Sequence, residues 1–275
     1  MGTRWVGCAP GHAAQRDGLQ TSMPIVPYQD LHDASELLWE KLQMLSPSQQ
    51  QLFQERLMMS WIFHDFALEG SVLTIAEIKA AIDDEIISAP SLIPSYHHII
   101  ALRDGIRRIV EARGKKQFPL NLDWLKKLHQ ILLPADRKDQ TQYRKDNPIH
   151  RLYFHDLAHA DKISYQMRKL TDWFRTDECK YSSPIEIGSK VHRDIIRIFP
   201  WPDISGRVAR LAMNHALINH GFWPALIHHV DRQYYYEALK SEQGEIETLV
   251  AGGVETGLKA ANKLYQGIVE STRRF

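Results

Sequence analysis

Apolar residues recur every three or four positions along most of the chain, and this spacing predicts helices almost throughout. One helical segment begins at a capping serine, Ser46, and stops at Gly70, while the next opens with Thr74 and Glu77 in a capping-box pattern. The same spacing recurs in "SYHHIIALRDGIRRIVEARG", "NLDWLKKLHQILL", "ADKISYQMRKLTDWFRT", "PIEIGSKVHRDIIRI", "GRVARLAMNHALINHG", "DRQYYYEALKS" and "IETLVAGGVETGLKAANKLYQGIVEST". We therefore expect an all-α fold.

One long polar break interrupts the helical pattern, the segment "LPADRKDQTQYRKDNPIHRLYFHD". A loop of this length inside a compact domain is usually functional or disordered. Within it we expect one small β-hairpin, around residues 143–155. No internal repeat, low-complexity tract or linker divides the chain. We expect an irregular N-terminal tail over residues 1–30 and a single helical domain over residues 31–275.

Composition narrows the classes of partner. The formal net charge of the 275 residues is +1, so no overall field attracts the chain to nucleic acid or to a membrane. No apolar run approaches the roughly 20 residues of a membrane helix, and the N-terminus lacks a basic segment leading into an apolar one. Two cysteines, Cys8 and Cys179, are too few for a disulfide framework. We expect a cytoplasmic protein.

Candidate chemistry concentrates in "FPWPDISGRVAR", residues 199–210, where a turn leads directly into a helix. Ser205 lies where an N-cap hydroxyl belongs, and Gly206 lets a ligand approach the backbone. Arg207 and Arg210 are three residues apart and share a helix face, which suits a phosphate group. Asp203 could hold a divalent cation between phosphate oxygens. The alternative is an ordinary serine cap beside solvated or paired surface arginines.

The same run resembles the signature of the Fic (Fido-fold) family, His-Pro-Phe-x-Asp/Glu-Gly-Asn-Gly-Arg-x-x-Arg. Around it, and in the family's order, lie segments similar to those of Fic proteins over roughly residues 50–265: "DFALEGSVLT", "TQYRKDNPIHR", "VHRDIIRI", "LAMNHALINHG" and "DRQYYYEALKS". The resemblance implies a helical bundle with a small β-hairpin flap over the active site. It also implies ATP with Mg²⁺ as the cofactor and transfer of AMP to a hydroxyl of a target protein.

The signature departs from the family at three positions. Phe199 replaces the histidine that takes the proton from the target hydroxyl, and a phenyl ring has no lone pair to accept one. Ile204 and Ser205 replace Gly-Asn, and a β-branched residue disfavours positive φ, so we expect the loop to depart from the family's geometry. By resemblance, Ser205, Gly206, Arg207 and Arg210 remain as ligand-binding residues. Asp203 remains as the Mg²⁺ ligand.

Two further positions bear on activity. His150, in the expected flap, is the one alternative proton acceptor that the resemblance offers, since His192 lies about 10 Å from Phe199 by helix rise. Glu69 and Gly70 match the end of the family's autoinhibitory motif, Ser/Thr-x-x-x-Glu-Gly/Asn, with Asp65 in the hydroxyl position. The resemblance implies that Glu69 pairs with Arg210 and regulates the site. The alternative is an exposed helix-end residue.

Three functional hypotheses follow from the sequence. The first is a Fic-fold protein that binds a nucleotide or another phosphorylated small molecule without histidine-based AMP transfer. The second is an active transferase or lyase that uses a proton acceptor other than the motif histidine. The third is a non-catalytic interaction module with a vestigial site. A protein segment could pair with the flap at 143–155 by strand addition.

Overall fold

The computed structural model describes residues 28–84, 93–114, 120–147, 157–241 and 243–273. These residues form a helical bundle whose elements are α1 (Gln29–Gln43), α2 (Pro47–Leu68), α3 (Ile75–Ile82), α4 (Ile93–Val110), α5 (Leu122–Leu132), α6 (Ile163–Trp173), α7 (Asp177–Tyr181), α8 (Pro184–Ile198), α9 (Ser205–Asn219), α10 (Arg232–Lys240) and α11 (Gln243–Arg273). The all-α prediction is confirmed. Residues 1–27 of the expected tail lie outside the described residues, and α1 already begins at Gln29.

The helix boundaries follow local chemistry. Ser46 begins α2 through a capping box with Gln49, and Thr74 begins α3 through the predicted box with Glu77. At the other end of α2, Gly70 takes a positive φ of 87°. The Gly70 N–H then donates to the Ala67 carbonyl, and the next N–H donates to the Phe66 carbonyl, which closes a Schellman turn. This turn fixes where α2 ends and therefore where Glu69 is held.

Helix α9 is the centre of the bundle, since every residue from Ser205 to Ile218 is buried. It packs most extensively against α8 and also against α4 and α5. A helix buried on all sides ordinarily carries only apolar residues. This one also carries polar residues at spacings that share a face, namely Arg207, Arg210 and Asn214. These polar residues in the interior of the bundle mark the position of the site.

The expected β-hairpin at residues 143–155 is not supported. Residues 143–147 form no strand, and the rest of the predicted hairpin lies outside the described residues. Arg144 gives a physical reason for the conformation at its start. Its guanidinium is buried and donates to the carbonyl oxygens of Ile198 and Phe199, so the chain here is tied to the end of α8. No strand occurs anywhere in the part of the chain that the structure describes.

Candidate functional site

The site is a cluster of four charges between α2 and α9, formed by Asp65, Glu69, Arg207 and Arg210; we call it the charge cluster. Asp65 Oδ2 accepts from Arg210 Nε at 2.7 Å, and Asp65 Oδ1 accepts from Arg210 Nη2 at 2.9 Å and from Arg207 Nε at 3.2 Å. Glu69 Oε1 lies 2.8 Å from Arg210 Nη2, and its Oε2 lies 3.0 Å from Arg207 Nη2. Each arginine thus contacts both carboxylates.

The spacing of the residues explains this arrangement. Asp65 and Glu69 are four residues apart and share a face of α2, while Arg207 and Arg210 are three apart and share a face of α9. The Arg207 guanidinium also lies 4.0 Å from the centroid of the Phe66 ring, a cation–π contact that fixes its plane. Two carboxylates therefore face two guanidinium groups, and their formal charges cancel.

Because the four groups are largely buried, the pKa values of Asp65 and Arg210 depend strongly on the neighbouring charges. Burial acts to raise the pKa of the Asp65 carboxyl, but the charges and hydrogen bonds of Arg210 and Arg207 outweigh it and hold that pKa below its ordinary value. Burial likewise acts to lower the pKa of Arg210, and Asp65 and Glu69 reverse the effect, so it lies well above its ordinary value. Asp65 and Arg210 both remain charged at neutral pH.

The motif loop, residues 199–205, joins α8 to α9 and contains the departures from the signature. Phe199 ends α8 in the left-handed region at φ 46°, and its side chain is buried in the core. Ile204 precedes α9 at φ 55°, although a β-branched residue was expected to avoid positive φ. The expectation that Ile204 avoids positive φ is therefore wrong. A non-glycine residue in this region costs about 1–3 kcal/mol, which the packed surroundings sustain.

Ser205 does not have the capping role that its position suggested. The residue that precedes the helix is Ile204, which offers no side-chain acceptor, and Ser205 is the first helical residue. The Ser205 hydroxyl donates to the Trp201 carbonyl at 3.0 Å, and its oxygen accepts from the Trp201 N–H at 3.0 Å. Ser205 therefore closes the motif loop. The first N–H groups of α9, including that of the buried Gly206, have no side-chain cap.

Asp203 is paired with a residue that the sequence did not single out. Its Oδ2 accepts from Arg137 Nη1 at 2.7 Å, and its side chain is more than half exposed. No group of three or more metal-ligating side chains occurs among the described residues. Asp203 alone fits a Mg²⁺ ion only where phosphate oxygens of a ligand complete the coordination and Arg137 gives up its contact.

His98, on α4, is the functional candidate that sequence reasoning missed. Two turns further along the same face, a Cβ on Gly105 would lie 2.9 Å from the Leu211 side chain of α9, so this face of α4 packs on α9. Burial lowers the pKa of His98, Arg207 and Arg137 lower it further, and the opposing effects of Asp203 and Glu69 are smaller. The buried Nδ1 of His98 has no hydrogen-bond partner among the described residues. No local motif marks this histidine.

The other histidines considered from the sequence do not join the site as described. His150 lies outside the described residues. His192 is fully buried in α8, where its Nε2 lies 3.2 Å from the Tyr235 hydroxyl. Burial, with a smaller contribution from Arg210, lowers the pKa of His192 to about 3. Because it is enclosed in the core, His192 serves the packing of α8 against α10.

Residues 119–217 match the Fic/DOC family model. Among curated proteins, the chain is 25% identical over 191 residues to a protein adenylyltransferase Fic of Nematostella vectensis, covering 69% of this chain and 44% of that one. It is 22% identical over 192 residues to a protein of the same name from Drosophila mojavensis, covering 69% and 38% of the two chains. The chain thus spans less than half the length of these relatives.

Solved structures share the fold. A Fic domain containing signaling protein from Bacteroides thetaiotaomicron superposes with a TM-score of 0.72 at 22% identity, covering 86% of this chain and 98% of that chain. Fic-1 of C. elegans (residues 134–508) superposes with a TM-score of 0.71 at 18% identity, covering 86% and 70%. None of the helices in the described ranges combines the length and apolar content that crossing a bilayer requires.

Proposed function

The chain belongs to the Fic/DOC family through residues 119–217, and from this premise we propose that it binds a nucleotide or another phosphorylated small molecule at the N-terminal turn of α9, without histidine-based AMP transfer. The observation that carries the proposal is the pair of buried guanidinium groups, Arg207 and Arg210, beside helix N–H groups that lack a side-chain cap. Buried cations at a helix N-terminus suit an anion of high charge density.

In the described conformation Glu69 occupies the place of such an anion. Its two oxygens contact both guanidinium groups at 2.8 and 3.0 Å, which is the geometry that phosphate oxygens would adopt. Its side chain is 25% exposed and lies at the end of α2, so it can turn out to solvent when a ligand enters. Glu69 is therefore the regulatory residue of the proposal.

The residues around the ligand have separate roles. Arg207 would contact the phosphate and Gly206 would supply backbone N–H groups, while Asp203 would share a Mg²⁺ ion with the ligand when a metal is present. Ser205 would hold the motif loop in place through Trp201. A bound Mg²⁺ would neutralise phosphate charge. A protein segment could bind along residues 143–155, most of which lie outside the described residues.

A second candidate function is an active transferase or lyase, and His98 is the observation that favours it. At neutral pH a histidine with a lowered pKa is uncharged and can accept a proton. His98 is within electrostatic range of Arg207 and Asp203, and its Nδ1 has no partner among the described residues. A third candidate, a module with a vestigial site, would keep the charge cluster as a structural ion-pair network.

Calorimetry separates these functions. We expect ATP, ADP or AMP to bind the Glu69→Gly variant more tightly than the wild type, and we expect Arg207→Ala to remove most of that binding. Because the contact is ionic and partly exposed, the affinity should also fall as the salt concentration rises. Binding with turnover of the ligand, detected by chromatography of the nucleotide, would favour the transferase or lyase. If neither the wild type nor the Glu69→Gly variant binds a nucleotide at millimolar concentration, the interaction module is favoured.

A further inference from the structure

Asp65 makes more contacts to the two guanidinium groups than Glu69 does. Its carboxylate accepts three hydrogen bonds, two from Arg210 and one from Arg207, at 2.7–3.2 Å. Its side chain is 2% exposed, against 25% for Glu69. The two carboxylates therefore differ in how easily a ligand can displace them.

Displacing Glu69 needs only a side-chain rotation, whereas displacing Asp65 needs α2 to move. The last carbonyl of α2, at Leu68, accepts from Arg232 Nε at 2.9 Å and from the Tyr236 hydroxyl at 2.9 Å. These two bonds tie the C-terminal turn of α2 to α10. Asp65 lies one turn before this anchor, inside the helix. A ligand that has displaced Glu69 therefore still meets the Asp65 carboxylate.

The remaining charge and donors limit what can bind. With Glu69 turned away, two guanidinium groups face one carboxylate, so the formal charge of the cluster rises from 0 to +1. Without Asp65 it would be +2. Asp65 keeps its contacts to the Nε atoms of both arginines and one contact to Arg210 Nη2, whereas Glu69 releases Arg207 Nη2 and the second contact of Arg210 Nη2. These donors match the oxygens of one phosphoryl group. A second phosphoryl group would bring further negative charge toward Asp65.

We propose that Asp65 restricts this site to ligands with a single phosphoryl group, such as a nucleoside monophosphate or another small phosphate monoester, and disfavours polyphosphates. The proposal rests on the proposed function, because it specifies the ligand class of the same site. It differs from what the resemblance implied, which is a triphosphate bound with Mg²⁺. Asp65 acts here as a specificity-determining residue through its fixed charge.

The test is calorimetry in EDTA with inorganic phosphate, AMP and ATP on Glu69→Gly and on Asp65→Ser/Glu69→Gly. We expect Glu69→Gly to bind AMP at least as tightly as ATP. Removal of the Asp65 charge frees charge-assisted donors on both arginines, and it should raise the affinity for ATP relative to AMP by about tenfold or more. Binding of inorganic phosphate alone would show how much of the affinity the phosphoryl group supplies.

Two further proteins keep the result interpretable. Asp65→Asn/Glu69→Gly removes the charge and keeps the shape, which covers the case in which the serine variant does not fold. Glu55→Ser/Glu69→Gly makes the same change of charge elsewhere on α2, where Glu55 pairs with Lys79, and its AMP-to-ATP ratio should equal that of Glu69→Gly.

Each outcome decides between the two proposals. ATP binding clearly more tightly than AMP in Glu69→Gly, or an AMP-to-ATP ratio that stays the same when Asp65 is replaced, overturns the role of Asp65 and leaves the proposed function standing. Failure of every anion to bind any folded variant overturns the proposed function, and the specificity proposal with it.

Discussion

The two ends of the motif loop have different chemistry although only a few residues separate them. At its start, Phe199 is apolar and buried, and its backbone carbonyl accepts from Arg144 at 2.7 Å. Beyond its end, Arg207 and Arg210 remain charged and buried, and they are matched by two carboxylates of α2. An apolar ring needs no partner in a core, whereas a buried guanidinium must have one.

Under the proposed function, this difference would explain how a proton-transfer position is lost while the two arginines stay. Replacing a histidine by phenylalanine leaves no unsatisfied polar group, so the fold is free to accept it. Removing either arginine would leave two carboxylates, one of them fully buried, with a single guanidinium group, so the fold itself favours keeping both arginines. The charge cluster can thus serve stability and ligand binding together, and mutations can separate those two roles.

The largest effect is expected from breaking the charge cluster on its carboxylate side. Asp65→Ala leaves two buried guanidinium groups with only Glu69, and it should lower the free energy of unfolding by about 3–5 kcal/mol. Urea unfolding followed by circular dichroism measures this. Asp33→Ala, at an exposed position of α1, is the matched control and should change stability little. A loss for Asp65→Ala as small as that of the control would show that the cluster is not a structural network.

A smaller effect is expected on ligand binding when Arg207, one of the two arginines that Glu69 contacts, is removed. Arg207→Ala in the Glu69→Gly background should weaken AMP binding by about tenfold to a hundredfold, because one charge-assisted hydrogen bond is worth roughly 1.5–3 kcal/mol. Isothermal calorimetry gives the dissociation constants. Arg168→Ala, on the exposed face of α6, should leave the affinity unchanged. Equal affinities for the two variants would place the anion elsewhere.

Acid should destabilise the protein through histidines that are buried without charge. Burial lowers the pKa of His192 to about 3 and that of His129 to about 4, below their ordinary value in the unfolded chain. The unfolded state therefore binds protons first, and stability falls as the pH drops from about 6.5 toward 4. The slope is about 1.4 kcal/mol per pH unit for each histidine. Urea titrations at pH 7 and pH 5 measure it.

His192→Gln supplies the comparison for this titration. The variant removes one of these groups, so its unfolding free energy should depend less steeply on pH by the contribution of one proton. The same slope for the variant and the wild type would mean that His192 does not hold its neutral form in the folded state.

The last prediction is that the protein does not transfer AMP from ATP to itself or to other proteins. With labelled ATP, Mg²⁺ and a cell lysate, we expect no labelled band above background, because Phe199 cannot accept a proton. Phe199→His alone should restore little, since Ile204 and Ser205 also depart from the signature. The triple variant Phe199→His/Ile204→Gly/Ser205→Asn is the stronger test of restoration. A band from the wild type that disappears in Arg207→Ala would contradict the assignment.

The helices and the arginines could be predicted from the sequence because their signals are local. Capping residues at Ser46 and Thr74, and the glycine stop at Gly70, fix boundaries within a few residues. Glu69 could be placed opposite Arg210 only through the resemblance of two distant segments. The helix boundaries could thus be predicted from spacing along one helix, whereas the pairing of Glu69 with Arg210 required the resemblance.

What the sequence could not give depends on contacts between elements far apart in the chain. The sequence places Asp65 in the hydroxyl position of the autoinhibitory motif, but only the packing of α2 on α9 shows that its carboxylate contacts both arginines. His98 has no local motif, and its place near the site follows from the packing of α4 on α9. The Arg137 contact to Asp203 likewise joins residues that are 66 positions apart.

The most direct test of the central claim is a crystal structure of the Glu69→Gly variant grown with AMP in a buffer free of sulfate and phosphate. The account predicts density for one phosphoryl group within hydrogen-bond distance of Arg207 Nη2, at the N-terminal turn of α9, with Asp65 still bound to Arg210. An empty α9 N-terminus at a saturating AMP concentration, or AMP bound at a different surface, would contradict it.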